Sequence, residues 1–332
     1  MAAPKSSRLE VFYCTEEYLV PINVSKSSVL FAVAKALIPI ESCMAVLIVL
    51  VNTTVTLTIL LTKSLRSKTY YKGIACMNIL DFLIGAVTIP LTRLLLKNII
   101  DNSSPMTLCT AAWSSLVCGC TLSSLTLSGM AFLSIDRYFS ICHAHRYHDI
   151  FRKGRVASVV VVLVSYSVVS TLLVALEEVQ VFAYVNSVEV FLLITLFSVI
   201  YYKIFKTVAQ SSTQSHRGSS HNRQHRDMSR KLLFIVVVIF ICYAPMTSLS
   251  FIMQMYSKEV FFSAHYISYA LVLANSLLNP LLFLWQDSVL RKATIAFATL
   301  IFSKIKCTKP DDLSTNRVAA IHLQPIGATI RH

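Results

Sequence analysis

Polar side chains that interrupt long apolar runs are the residues of this sequence that could do chemistry. Asp81 lies in the middle of one apolar run, and amide or hydroxyl side chains lie inside others: Asn52, Thr126, Asn275 and Asn279. Such groups are costly in an apolar helix unless they pair or serve a function. Two interpretations stay open. They form one polar cluster around a carboxylate and a cation, or they make independent hydrogen bonds between helices.

A second group of charged residues stands at the end of an apolar run, in Asp136-Arg137-Tyr138. An Asp–Arg pair at a membrane edge neutralises itself. It can also open when a partner offers the arginine a new contact. Alone the tripeptide is a weak signal, because it recurs by chance, and its position on a helix decides its meaning.

The sequence has no arrangement typical of an enzyme. It lacks a nucleophile spaced with a base, a cluster of metal ligands and a phosphate-binding loop. We therefore predict no catalytic residue, no organic cofactor and no metal site beyond an ion at the polar cluster. A transporter needs a polar path or repeated broken helices. The chain has one midplane acid and no internal repeat, which leaves a transporter as a remote alternative.

The elements that position these residues are predicted to be membrane-spanning helices. Of the 332 residues, 55% are hydrophobic and 14% are charged, whereas soluble domains are about 25% charged. Continuous apolar runs favour helices over a barrel. Seven runs are long enough to cross roughly 30 Å of hydrocarbon. These first to seventh spans are predicted at 38–62, 70–95, 110–141, 155–176, 180–205, 232–256 and 262–285. The predicted fold is an all-α seven-helix bundle.

The distribution of basic residues predicts the orientation of the bundle. The net charge is +14, and the charge lies in short segments between the apolar runs. With the N-terminus outside, 23 of the 30 Lys and Arg residues fall in the inner loops and the tail. Because Lys and Arg favour the cytoplasmic side, we predict an extracellular N-terminus and a cytoplasmic C-terminus. This pattern explains the charge better than a nucleic-acid partner does.

The predicted layout has four parts: an extracellular segment 1–37, a membrane domain 38–285, an amphipathic eighth helix 286–302 and a cytoplasmic tail 303–332. The eighth helix is expected to lie along the membrane. The tail has no apolar periodicity and is expected to be disordered. The stretch 211–226 is rich in Ser, His and Arg and is expected to be a flexible linker.

Several residues outside the spans are candidates for covalent modification. Asn23 and Asn102 begin glycosylation triplets on the outer side. Cys14 and Cys109 are the outer thiols, which form a disulfide or stay free. Cys307 in the basic tail is either a palmitoylation site or an ordinary thiol.

On several motifs in order, the chain resembles a rhodopsin-like (class A) G-protein-coupled receptor over about residues 38–300. The resemblance rests on Asn52, Asp81, Pro90, Asp136-Arg137-Tyr138, Tyr201, Cys242-Tyr243-Ala244-Pro245 and Asn279-Pro280-Leu281-Leu282-Phe283. Within the family the chain looks most similar to the melanocortin receptors, on Asp136 to Ile141, Arg146 to Ile150 and a very short second outer loop. Adenosine, cannabinoid and lysophospholipid receptors share parts of this pattern.

The resemblance implies a plasma-membrane receptor that couples an extracellular ligand to heterotrimeric G proteins. The sixth span would move outward at its inner end, and Arg137 would leave Asp136 to face Tyr201 and the G protein. The sodium site would consist of Asp81, Thr126, Asn275 and Asn279. Tyr138, Tyr243, Pro245, Pro280 and Phe283 would complete the switch motifs.

Departures from the family pattern bear on signalling. Tyr243 replaces the usual tryptophan, and Phe283 lacks the hydroxyl of the usual tyrosine. A receptor that traps ligand or pairs with another receptor without coupling is therefore the alternative function. His225 stands where many relatives have an acid that restrains the arginine, and Asp227 is nearby in the sequence. Because this restraint is weak or absent, we expect elevated basal activity.

The outer half offers candidate ligand contacts but no ligand identity. Gly119 stands where receptors for amines have an aspartate, which disfavours an amine ligand. The remaining candidates are Glu41, Arg93, Glu189, His265 and Tyr269. Arg93 could instead reach the lipid head groups, and Glu189 could instead pair with another helix. A small peptide and a lipid-like ligand both suit an apolar pocket with a short lid.

Overall fold

The computed structural model describes residues 29–101, 103–143, 161–162, 165–169, 172, 179–214, 234, 237–249 and 258–307. Long helices dominate these residues: Val29–Leu61, Thr69–Ile100, Pro105–Cys142, Val179–Gln214, Val237–Leu249, Lys258–Gln286 and Ser288–Cys307. We name them after the predicted spans as the first, second, third, fifth, sixth and seventh spans and the eighth helix. Most of the predicted fourth span lies outside the described residues.

The described helices confirm the prediction of an all-α membrane protein. Five of them, the first, second, third, fifth and seventh spans, are long and apolar enough to cross a membrane. The sixth span is described over a shorter apolar helix, Val237–Leu249. Large apolar side chains on the outer faces, such as Phe191 at 70% exposure, are suited to contact lipid.

The first span begins earlier than the predicted residue 38. Its helix starts at Val29, because residues 29–37 are apolar apart from Lys35 and contain no breaker. Pro39 lies inside this helix. Proline lacks an N–H, so it removes the helical bond to the carbonyl four residues earlier, but it does not end the helix here.

The fifth span and the eighth helix also differ from their predicted limits. The fifth span continues to Gln214, so the first residues of the expected flexible linker are helical. The eighth helix runs from Ser288 to Cys307 instead of 286–302, and the predicted tail loses its first residues to it. It starts after Asp287, whose Oδ1 accepts bonds from the backbone N–H groups of Val289 and Leu290 at 2.9 and 3.0 Å. Its extension contains no glycine or proline.

The second span is interrupted by a π-helical segment, Ile84–Thr88, between α-helical Thr69–Leu83 and Ile89–Ile100. Pro90 follows closely and cannot donate to the carbonyl of Ala86, which a regular helix would require. Wider i→i+5 pairing before a proline accommodates this loss. Such segments add one residue to a turn and are frequent at functional sites.

The third span is the longest helix of the described bundle. It begins at Pro105, after Ser104, whose hydroxyl accepts a bond from the Thr107 N–H at 3.4 Å. It packs against the second and fifth spans, and the first span packs against the second and seventh. The inner half shares one continuous apolar core, which includes Leu127, Phe197, Ile204 and Ile239.

Candidate functional site

The predicted polar cluster lies at the middle of the bundle. Asn279 Nδ2 donates to Asp81 Oδ2 at 3.0 Å, which joins the seventh span to the second. The hydroxyls of Ser276 and Thr126 lie near the same carboxylate. Asp81, Thr126 and Asn279 are all buried. The structure therefore brings together residues from three spans that the sequence alone could only assign to separate helices.

Several polar atoms of this cluster have no hydrogen-bond partner among the described residues. They are Asp81 Oδ1, Thr126 Oγ1 and both amide atoms of Asn275. A buried polar atom without a partner costs free energy, so such atoms are usually satisfied by water or an ion. Carboxylate, hydroxyl and amide oxygens are the donors that hard cations prefer. These residues thus fit a small cation.

Asn52 joins the first span to the seventh at the proline of the latter. Asn52 Nδ2 donates to the backbone carbonyl of Ser276 at 3.1 Å. That carbonyl is four residues before Pro280, which lies inside the helix and has no N–H to donate. The asparagine therefore satisfies the acceptor that the proline leaves open.

Asp136 and Arg137 form an ion pair at the inner end of the third span. Arg137 Nη2 and Nε donate to Asp136 Oδ2 at 2.9 and 3.2 Å. The Asp136 side chain is 2% exposed and the Arg137 side chain 35%. The arginine is thus neutralised, but it stays open to the inner face.

Tyr70, which the sequence did not single out, contacts the same arginine. Its ring lies under the guanidinium, with Arg137 Cζ 3.6 Å from the ring centroid. The neighbouring Tyr71 donates from its hydroxyl to Asp287 Oδ2 at 2.7 Å. Asp287 is the residue that caps the eighth helix. An aromatic residue near a cation is not a readable signal when the two lie on different helices.

The other inner motif residues make their own contacts. The Tyr201 hydroxyl shares a 3.0 Å bond with the Ser134 hydroxyl, and Tyr138 Oη is hydrogen-bonded to His143 Nε2 at 3.2 Å. Phe283 packs against the inner apolar core.

The sixth-span motif reaches towards the polar cluster. Tyr243 is buried, and its hydroxyl lies near the amide of Asn275. Pro245 lies two residues further along the same helix. A tyrosine here adds a hydroxyl to the middle of the bundle.

Gly119 faces Tyr269 across the outer half of the bundle. A Cβ at Gly119 would lie 1.8 Å from the Tyr269 hydroxyl oxygen and 3.4 Å from Thr88 Cγ2. The tyrosine therefore occupies the place where a side chain at 119 would stand. The Tyr269 ring also stacks on His265, at 6.3 Å between centroids and 13° between planes. Of the two predicted pocket residues on the seventh span, Tyr269 thus lies against the third span, and His265 is stacked on it.

Glu41 is a fully buried carboxylate in the outer half of the first span, at 1% exposure. Neither of its oxygens has a hydrogen-bond partner within the described part of the chain. The charge of Arg93 on the second span reaches it, and Nε of Arg93 is also buried without a partner. The two predicted pocket residues therefore lie near each other without forming a hydrogen-bonded pair.

Glu189 pairs with another helix, which is one of the two alternatives predicted for it. The Tyr166 hydroxyl donates to Glu189 Oε2 at 2.8 Å. Tyr166 belongs to the helical residues 165–169, within the predicted fourth span. The carboxylate thus joins the fifth span to the fourth.

The modification sites are only partly described. Asn23, Asn102 and Cys14 lie outside the described residues. Cys109 is disulfide-bonded, which removes one of the two alternatives for this thiol. Its pairing with Cys14 stays a prediction. Cys307 is the last residue of the eighth helix.

The fold and these sites define a class: an all-helical membrane protein with an ion pair at the inner end of its third span and a buried polar cluster at mid-bundle. A family model described as 7 transmembrane receptor (rhodopsin family) matches residues 51–283. The chain therefore belongs to the rhodopsin family of seven-transmembrane receptors. This membership confirms the superfamily resemblance and supports a multi-pass membrane protein.

Proposed function

We propose that this chain is a plasma-membrane receptor that transmits an extracellular ligand signal to heterotrimeric G proteins. The observation that carries the proposal is the neutralised but accessible Arg137 at the inner end of the third span. The Arg137 side chain is already 35% exposed, so its guanidinium can turn to a new partner without first leaving a buried site. A partner at the inner face can therefore capture the arginine.

The signal is conformational. A ligand shifts the equilibrium only by the difference in its affinity for the two states. In the active state the sixth span moves outward at its inner end, and Arg137 leaves Asp136. Tyr201, now bonded to Ser134 at 3.0 Å, is available to the displaced arginine after that bond opens.

The ligand binds in the outer half, near Glu41, Arg93, His265 and Tyr269. The unpartnered polar atoms of Glu41, Arg93 and Tyr269 support this placement, because a ligand would supply the hydrogen bonds they lack. The Tyr269 hydroxyl fills the space beside Gly119. This supports the exclusion of amine ligands, which would need an acidic side chain at that position. A small peptide or a lipid-like molecule with a polar head satisfies these groups.

A sodium ion at Asp81, Thr126, Asn275 and Asn279 stabilises the resting state. The buried unpartnered oxygens of the cluster support this role. The ion adds a positive charge beside a carboxylate that has one described hydrogen bond, from Asn279.

A receptor that does not couple is the second candidate. Phe283 supports it, because it packs in the inner core and has no hydroxyl to stabilise an active arrangement. Such a chain would bind ligand or pair with another receptor. Membership of the melanocortin branch rests on the sequence resemblance alone.

The disulfide of Cys109 is formed with Cys14. Six of the nine cysteines are free thiols: Cys43, Cys76, Cys118, Cys120, Cys142 and Cys242. Only Cys14 and Cys307 then remain within the chain, and Cys307 ends the eighth helix at the opposite side of the membrane. Mass spectrometry of a non-reducing digest would identify the linked peptides. The same digest would report glycans at Asn23 and Asn102 and palmitate at Cys307.

Coupling is tested by activation across a panel of G proteins. Wild type and Arg137→Ala are expressed at equal surface levels, and basal activation is recorded for each. A signal that disappears in Arg137→Ala supports coupling and names the G protein. A signal that is equal in both contradicts a role for Arg137, and silence in both favours the second candidate.

A further inference from the structure

The guanidinium of Arg137 is held by two groups that use different parts of it. Asp136 accepts from Nη2 and Nε, in the plane of the guanidinium, at 2.9 and 3.2 Å. Tyr70 lies under its face, 3.6 Å from ring centroid to Cζ. A planar cation can make in-plane hydrogen bonds and stack on an aromatic ring at once. The two contacts therefore add to each other.

Only one of these contacts joins two helices. Asp136 precedes Arg137 on the same helix, so their ion pair by itself links no two helices. Tyr70 belongs to the second span. Its ring is therefore the described contact that positions the arginine relative to the rest of the bundle.

Tyr70 is itself well supported. It packs against the inner apolar core, and its ring lies 5.3 Å from that of Tyr71. The Tyr71 hydroxyl donates to Asp287, the cap of the eighth helix, at 2.7 Å. The segment that carries the Tyr70 ring is thus tied to the start of the eighth helix through Tyr71.

We propose that Tyr70 is a positioning residue of the coupling site, which holds Arg137 in the resting state through the face of its ring. Its effect on signalling rests on the proposed function, but the hold on Arg137 does not. The expectation of elevated basal activity considered only the missing acid at His225. Tyr70 supplies a restraint from another helix, so basal activity is lower than that expectation implies and rises when the ring is lost.

The hold is measured without a G protein, by the reactivity of Arg137 with phenylglyoxal. The purified full-length receptor is treated with the reagent, and the modified arginine is quantified by peptide mass spectrometry. Arg66, which is exposed and donates to the Leu60 carbonyl, serves as the internal reference. Tyr70→Leu removes the ring, and Tyr70→Phe keeps it. Tyr202→Leu makes the same change at an inner-end tyrosine that is 66% exposed.

We expect Tyr70→Leu to raise the rate of Arg137 modification on the order of fivefold, the factor that a cation–π contact provides at a partly exposed site. Tyr70→Phe and Tyr202→Leu should react like wild type. Equal rates in Tyr70→Leu and wild type would overturn the proposal, and so would a Tyr70→Phe variant that reacts like Tyr70→Leu. Unchanged Arg66 modification and thermal melting exclude general unfolding as the cause.

Basal G-protein activation of the same variants, at equal surface levels, separates this proposal from the proposed function. A several-fold rise in Tyr70→Leu, absent in Tyr70→Phe, supports both. Faster Arg137 modification with no activation in any variant supports the hold of Tyr70 and contradicts coupling. Raised activation in both Tyr70 variants would contradict the ring face as the restraint.

Discussion

The named polar side chains at the inner end and in the outer half of the bundle differ in whether they have hydrogen-bonding or ionic partners. At the inner end Arg137 contacts Asp136 and Tyr70, Tyr201 bonds Ser134, and Tyr71 bonds Asp287. In the outer half the carboxylate of Glu41, Nε of Arg93 and the Tyr269 hydroxyl have no partner among the described residues. The inner groups named here therefore have resting partners, whereas the three outer groups lack them. Gln286 Nε2 and the Asn78 amide are inner-side exceptions, because both are buried without a partner among the described residues.

This difference matches the two tasks of a receptor. At the inner end, a new partner for Arg137 must compete with its resting contacts to Asp136 and Tyr70. An outer half with unpaired groups gains free energy when a ligand, ion or water supplies partners. The middle of the bundle combines both conditions, because Asn279 bonds one oxygen of Asp81 and the other is left open.

The largest effect is expected from Asn52→Ala, which removes the hydrogen bond from Asn52 to the Ser276 carbonyl between the first and seventh spans. The Ser276 carbonyl would lose its donor and Pro280 cannot replace it, so the variant should lose about 1–3 kcal/mol of stability. Thermal unfolding of the purified receptor measures the loss. Thr54→Ala is the control, because the Thr54 hydroxyl donates within its own helix, to the Leu50 carbonyl. Equal unfolding temperatures for Asn52→Ala and wild type would contradict the role of this bond.

Gly119→Ala should displace Tyr269 from the third span. Its new Cβ would overlap the tyrosine hydroxyl, and overpacking of this kind costs about 1–3 kcal/mol, partly offset by the higher helix propensity of alanine. The unfolding temperature should fall. Tyr269→Phe removes the overlapping oxygen and should restore most of the loss in the double variant. An additive double variant would show that the two sites do not touch.

Substitution of the two outer carboxylates by leucine should have opposite effects. Glu41→Leu removes an unpaired buried group and should raise stability by about 1 kcal/mol. Glu189→Leu breaks the hydrogen bond from Tyr166 that joins the fourth and fifth spans and should lower stability by a similar amount. The unfolding temperatures of the two variants, measured without ligand and compared with wild type, test these opposite effects. If both variants lose stability, Glu41 has a partner in the free receptor and the contrast between the halves fails there.

The smallest effect is expected from sodium at the Asp81 cluster. An ion at a few times its dissociation constant stabilises a site by about 1 kcal/mol. Unfolding temperature is measured in sodium and in choline at equal ionic strength. Wild type should be more stable in sodium, and Asp81→Asn should show no difference between the salts. A sodium effect that persists in Asp81→Asn would place the ion elsewhere.

The sequence predicted the helices well because each span must be apolar over its whole length, and length and hydrophobicity are readable residue by residue. It was less successful at the helix ends. The first helix begins before residue 38 and the eighth helix continues to Cys307, because neither residues 29–37 nor residues 303–307 contain a glycine or proline.

The contacts between spans could be predicted only in part. Asp81 and Asn279 could be proposed as neighbours because polar side chains inside a membrane are costly unless they pair with one another. The Asn52 bond to Ser276 has a readable signal, since a proline inside a helix leaves the carbonyl four residues earlier unpaired. The stack of Tyr70 on Arg137 has none, because it depends on how two helices are rotated against each other.

The π segment Ile84–Thr88 determines the direction in which side chains of the outer second span point relative to those of its inner part. A regular helix turns about 100° per residue, so Arg93 would point roughly 120° away from the direction of Asp81. One added residue in the wider turn reduces that angle to roughly 20°. Arg93 and Asp81 therefore face the same side of the second span because of a single surplus residue. Deleting one residue from the segment would rotate the outer part of the helix by about 100°, while its inner part kept its orientation.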